Sequence, residues 1–148
     1  MILSRTSKYA IQALIYMATK PSGEAILNRT IAKELGASPT YLAKILQNLC
    51  KFDLLYSFRG SQGGFCLREN GKEINLLQIV LVTEGPGIKE ECVLGFKVCS
   101  DKNPCLMHTQ WSPIKQEILK LLQNKNLEFL ASEVLNGKKL ISDFPDSL

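Results

Sequence analysis

The stretch 31-IAKELGASPTYLAKILQNL-49 decides the fold. Ile31 to Leu35 can form the end of a short helix capped by Asn28, and Gly36 stands where a left-handed residue closes it. Two residues later Ser38-Pro39 opens a second helix, a capping hydroxyl followed by proline at the first helical position, where its missing N–H costs nothing. Within that helix Leu42, Ile45, Leu46 and Leu49 fall at i, i+3, i+4 and i+7 and form the inner face. Thr40, Tyr41, Lys44, Gln47, Asn48 and Lys51 occupy the rest of its surface. The outer side is therefore rich in hydrogen-bond donors and positive charge.

Working outward, Ser7 to Thr19 predicts a leading helix, closed by the turn Pro21-Ser22-Gly23. After the second helix, Leu54 to Arg59 and Phe65 to Arg68 have β character, and Gly60-Ser61-Gln62-Gly63-Gly64 between them predicts a hairpin with a glycine tip. Asn75 caps a further helix from Leu76 to Thr83, with Gln78 placed for a capping box and Gly85-Pro86-Gly87 ending it. Lys89 to His108 has no period and reads as loop. Trp111, Ile114, Ile118, Leu121 and Leu122 then recur at helical steps to about Asn124. The start of that helix is open: Ser112-Pro113 can cap it, or it begins near Pro104 and carries Pro113 inside. Its large apolar stripe requires cover from this chain's own core or, the favoured reading, from a second copy.

The expected fold is mainly α with a small β-hairpin wing, a winged helix-turn-helix followed by a long carboxyl-side dimerisation helix. Residues 1–75 form the expected DNA-binding part and 76–148 the sensor loop and dimerisation helices. A helix with donors facing outward fits a major groove, where amides pair with adenine and lysine reads guanine or holds phosphate. The candidate DNA contacts are Ser38, Thr40, Tyr41, Lys44, Gln47 and Asn48, with Arg59 at the wing tip suited to a minor groove or a phosphate. Charge agrees: residues 1–75 carry ten Lys or Arg against five Asp or Glu, and residues 76–148 carry eight against nine.

Composition narrows the alternatives. At 148 residues, with 45% hydrophobic and 22% charged side chains, the chain can bury a core without disulfides. Its longest apolar run, 76–82, is far short of the roughly 20 residues that span a bilayer. Gln12 and Tyr16 interrupt the apolar run after Arg5 and Lys8, which argues against a secretion signal. A soluble cytoplasmic protein with no membrane partner is expected, with Met1 as the mature start. Its lone histidine leaves no independent Ser-His-Asp set, and the wing lacks the lysine and following helix of a phosphate loop. An enzyme is not expected.

The segment 91-ECVLGFKVCSDKNPCLMH-108 carries the second function. Six residues separate Cys92 from Cys99 and five separate Cys99 from Cys105, and His108 follows three positions later. Three thiolates and an imidazole on one loop can complete a metal or cluster shell. The gaps exceed the two to four residues usual between paired zinc cysteines, which favours an iron-sulfur cluster. A thiol switch, a zinc staple and inert thiols remain as alternatives. Cys50 and Cys66 read as structural.

Taken together, "LSRTSKYAIQAL", the helix-turn-helix, "RGSQGGF", "LLQIVLVTEGP" and the cysteine loop resemble the winged-helix regulator family that includes IscR, NsrR and CymR. The resemblance covers nearly the whole chain. It implies a homodimer that crosses its carboxyl-side helices and offers two recognition helices to a palindromic operator in double-stranded DNA. It also implies cluster ligation by Cys92, Cys99 and Cys105, with His108 matching the histidine of IscR-like members. The first cysteine gap is one residue longer than is common there, so a two-iron or four-iron core stays open. Lys8 stands near the position where NsrR-like members recruit an acidic ligand. Ala43 replaces an acidic residue of the recognition helix in IscR.

The expected function is a sequence-specific transcription regulator sensing redox state, iron supply or nitric oxide through an iron-sulfur cluster. The rivals are the same regulator with a thiol switch or zinc site, and a small iron-sulfur or partner-binding protein without a DNA role.

Overall fold

The computed structural model describes residues 3–61 and 63–137. Gln62 of the glycine tip, residues 138–148 of the rear part and Met1 lie outside the described residues. The elements are α1 (Arg5–Ala18), α2 (Asn28–Leu35), α3 (Pro39–Lys51), β1 (Leu55–Phe58), β2 (Gly64–Leu67), α4 (Leu76–Glu84), α5 (His108–Gln123) and α6 (Leu127–Leu135).

The helix-turn-helix forms as its sequence signals require. Gly36 takes a left-handed φ of 64° after α2, a conformation that glycine adopts without a Cβ penalty. Ser38 caps α3 by accepting a hydrogen bond from the Tyr41 amide, and Pro39 opens the helix. Leu42, Ile45, Leu46 and Leu49 are buried, each contributing about 1.5–3 kcal/mol on removal from water. At α2 the structure departs from expectation. Leu27, not Asn28, occupies the cap position, and the Asn28 amide instead donates to the Pro39 carbonyl at 2.8 Å. That bond ties the starts of α2 and α3 together.

The wing is a two-stranded antiparallel hairpin pairing Leu55 with Leu67 and Phe58 with Gly64. Ile26 extends it through two 2.8 Å backbone bonds with Phe65. Gly64 sits at φ 132°, and a Cβ there would collide with the Ile26 carbonyl. Glycine is therefore required where the hairpin meets the strand-like residue before α2.

Beyond the wing, Asn75 and Gln78 form the reciprocal capping box at the start of α4. This helix is apolar around most of its circumference because it lies between two clusters. Ile79 joins the core built on Tyr9, Ala13, Leu14, Leu42 and Leu46, while Leu77 and Val80 pack with Ile88 and Leu122. Helix α5 contains Pro113, so its start lies upstream of the Ser112-Pro113 cap. Its stripe is divided: Trp111 and Leu122 are buried, whereas Ile114 and Leu121 are more than half exposed. Helix α6 is not among the expected elements, although Leu127, Leu130, Ala131 and Val134 fall at i, i+3, i+4 and i+7; it is capped by Asn126 and sends Leu127 and Ala131 into the core beside α1. No described helix is long and apolar enough to cross a membrane.

Candidate functional site

The outer face of α3 is the first component. Ser38, Thr40, Lys44 and Gln47 are exposed and Asn48 is half-buried, so the burial of the inner apolar face leaves these side chains outward. Tyr41 is different. Its hydroxyl shares a 2.7 Å hydrogen bond with Thr6 of α1, and its ring meets Tyr9 edge-on at 6.0 Å. The phenol thus links the recognition helix to α1. Arg59 is exposed where β1 ends at the wing tip.

The second component is the loop between α4 and α5. Cys92, Cys99 and Cys105 converge, with their three sulfurs within 4.8 Å of one another. Cys92 Sγ and Cys105 Sγ are 3.4 Å apart. The loop is held against α5 by the Trp111 indole, which donates to the Glu91 carbonyl at 2.9 Å. The imidazole of His108, the first residue of α5, joins the group through Cys99, with Nδ1 3.2 Å from Sγ. Its Nε2 lies 2.8 Å from Asp101 Oδ1. In the neutral ring an Nε2–H donated to Asp101 leaves the Nδ1 lone pair facing the sulfurs, the tautomer a metal ligand needs. Asp101 is a hydrogen-bond partner of this candidate ligand that the sequence did not single out; an acidic residue between two candidate ligands was the available signal.

These contacts set the acidity of the free thiols. A hydrogen bond from the Cys105 backbone, with further ones from His108 and the neighbouring thiols, lowers Cys99 to about 7. Burial raises Cys105, and the hydrogen bond to Asp101 raises His108. Cys99 is thus ionised more readily than Cys105, and a ligand thiol must be ionised. By contrast, burial raises both Cys50 and Cys66, in keeping with a structural role.

A polar clasp joins the base of this loop to α1. Glu84, the last residue of α4, accepts from the Ser4 amide at 2.8 Å and from Ser7 Oγ at 2.5 Å. Ser7 is fully buried and also bonds Thr83 at 2.5 Å. The clasp and the Thr6–Tyr41 bond fall on adjacent residues of α1.

A helix-turn-helix with its wing and a three-cysteine loop coincides with a match to the family described as Rrf2, iron-dependent transcriptional regulator, over residues 3–133. The chain belongs to the Rrf2 family. It is 27% identical over 142 residues to the HTH-type transcriptional regulator IscR of Pectobacterium atrosepticum, covering 96% of this chain and 84% of that one. Among solved structures it is similar to CymR, the global cysteine regulator of B. subtilis, with TM-score 0.73 and 26% identity, over 89% of this chain and 97% of that chain. The T. potens IscR structure shares the fold at TM-score 0.71 and 24% identity, covering 95% and 93%. This Rrf2 chain is a DNA-binding transcription regulator with a winged helix-turn-helix, and such regulators are not enzymes.

Proposed function

We propose that this Rrf2 regulator acts in the cytoplasm as a homodimer on a palindromic operator. Its DNA affinity would be set by an iron-sulfur cluster held at Cys92, Cys99 and Cys105, with His108 as the fourth ligand. The observation that carries this reading is the convergence of the three thiols beside an imidazole oriented by Asp101. Thiolates and a neutral imidazole are the donors that iron-sulfur centres take. When bound, the cluster supplies redox and nitric-oxide reactivity.

The chain's own contacts provide a route from loop to DNA. Ile88 packs with Leu77, Val80 and Leu122, so spreading of the loop acts on α4. Glu84 passes that movement to Ser4 and Ser7 of α1, and Thr6 passes it to Tyr41 on α3. A loop state that favours one setting of this chain of contacts shifts the population competent for DNA. On the DNA side, Lys44, Gln47, Thr40, Ser38 and Asn48 enter the major groove and Arg59 extends the contact from the wing. Tyr41 acts from the α1 side of the helix. The exposed Ile114 and Leu121, with Pro113 and Ile118 lining an apolar groove beside them, offer the surface for the second copy.

One observation favours a second reading of the cysteines. Sulfurs on a single tetrahedral ion at about 2.3 Å stand roughly 3.8 Å apart, close to the compact grouping here, whereas a cluster requires the loop to spread. Purification without oxygen, followed by visible absorption and iron, sulfide and zinc analysis beside Cys99→Ser, separates the two. Sulfide-to-iron bands with matching iron and sulfide, lost in the variant, are expected. Stoichiometric zinc without sulfide establishes the single-ion site and overturns the cluster.

A further inference from the structure

Away from the cysteine loop, a cleft of about 430 Å³ opens between the outer face of the wing and the turn that follows α1, within the roughly 300–1,000 Å³ typical of small-molecule sites. Its walls are not explained by the hairpin's own folding. Leu55 turns into the core, while Tyr56 and Phe58 stand side by side with ring centroids 6.5 Å apart. Phe58 is 52% exposed, and Met17 and Leu67 complete the apolar floor.

Polar groups converge on the same space. Arg68 lies 4.2 Å over the Tyr56 ring and is pinned by Asp53 at 2.8 Å. Its Nε is buried without an acceptor and so lies out of reach of a ligand in the open cleft. Lys20 and Lys72 line the cleft as well; Lys20 Nζ stands 4.9 Å over the Tyr16 ring, and no described carboxylate pairs with either lysine. Glu24 and Glu69 also border it, but both are exposed and free to turn to solvent, whereas Arg68, Lys20 and Lys72 are half-buried. With Arg68 matched by Asp53, Lys20 and Lys72 are the cations left to meet an anionic ligand.

We propose that this cleft is a second ligand site, distinct from the cysteine loop, that takes a small carboxylate with a flat apolar body. The body lies against Tyr56, Phe58 and Met17, and the carboxylate faces Lys20 and Lys72. Such a ligand would bind on the two strands that carry the DNA-contacting wing. This inference is independent of what the cysteines hold.

Amide NMR of the full-length dimer, titrated with benzoate as the probe, tests it. Saturable shifts confined to Met17, Lys20, Tyr56, Phe58, Leu67 and Lys72 are expected, with a Kd of about 1 mM or tighter for so small a molecule. Benzylamine, the same ring with a positive group, should bind at least 5-fold more weakly. Phe58→Ala and Lys72→Gln should each weaken benzoate binding at least 5-fold while leaving the remaining spectrum in place, which also verifies folding. Operator duplex should bind together with benzoate. Absence of saturable shifts, equal binding of benzylamine, indifference to both substitutions, or displacement of benzoate by duplex would each overturn the proposal. Displacement would assign the cations to DNA phosphate instead.

Discussion

The clasp between α4 and α1 permits a quantitative test. Glu84 accepts two hydrogen bonds, from Ser7 Oγ at 2.5 Å and the Ser4 amide at 2.8 Å, and bonds to a charged acceptor contribute about 1.5–3 kcal/mol each. Ser4 is half-buried, so water recovers part of its share, whereas Ser7 has no access to solvent. Glu84→Ala should therefore destabilise the fold by about 2–3 kcal/mol, and a double-mutant cycle with Ser7→Ala should give a coupling of about 1.5–2 kcal/mol. Burial pushes the Glu84 carboxyl up, but the hydrogen bonds from Ser7 and Ser4 outweigh it and its pKa is lowered. The resulting stability is present above the unfolded carboxyl value of about 4.3 and is lost as pH falls through the lower folded value. Urea unfolding of the four proteins at one protomer concentration, at pH 7 and again near pH 3.5, measures both effects. A coupling below about 0.5 kcal/mol, or an acid-induced loss of stability equally steep in Glu84→Ala, would refute the clasp.

Other outcomes follow from the same geometry. Lys44→Ala and Gln47→Ala should weaken operator binding, and Lys44→Ala should also reduce the slope of log affinity against log salt by about 1 if the lysine holds a phosphate; anisotropy titrations at several salt concentrations measure both. Leu121→Asp places a charge on the exposed side of α5 and should shift sedimentation from dimer to monomer while Leu122 stays packed, and a dimer of unchanged affinity would remove this surface from the interface. In metal-free protein, Cys99 should be alkylated at half its maximal rate near pH 7, because its pKa is lowered to about 7. Cys50 and Cys66 should need more alkaline solution, because burial raises theirs; residue-resolved mass spectrometry across pH reads the order.

Features encoded by adjacent residues were legible in the sequence. Ser38-Pro39, Gly36, the Asn75–Gln78 box and the i, i+3, i+4, i+7 apolar set each act within one or two turns, and each stands where its chemistry predicts. The cysteine group was legible because its three thiols occupy one short segment. Contacts between distant residues were not. Ser7 and Glu84 are 77 positions apart, and neither residue type signals the other. Tyr41 has a hydroxyl suited to a groove, yet Thr6 on another helix engages it. Asn28 has a capping side chain, but its bond to Pro39 across the turn leaves Leu27 at the cap. Helix α6 carries its own local signals, the Asn126 cap and apolar residues at Leu127, Leu130, Ala131 and Val134, but that it covers α1 is a contact between distant residues. Asp101 lay within the loop, but its role depends on how the loop folds back onto α5.

Under the proposed function, what the cysteine loop holds determines how well α3 and the wing hold DNA. That dependence is tested most directly by the anisotropy of a labelled operator duplex selected for binding to the protein, at fixed salt, with cluster-loaded protein, protein stripped of metal, and Cys99→Ser. Loaded and stripped protein should differ at least 5-fold in Kd, about 1 kcal/mol of coupling, with Cys99→Ser locked at the stripped value. Equal affinity in all three would contradict it, leaving a winged-helix DNA binder whose cysteines do not control it.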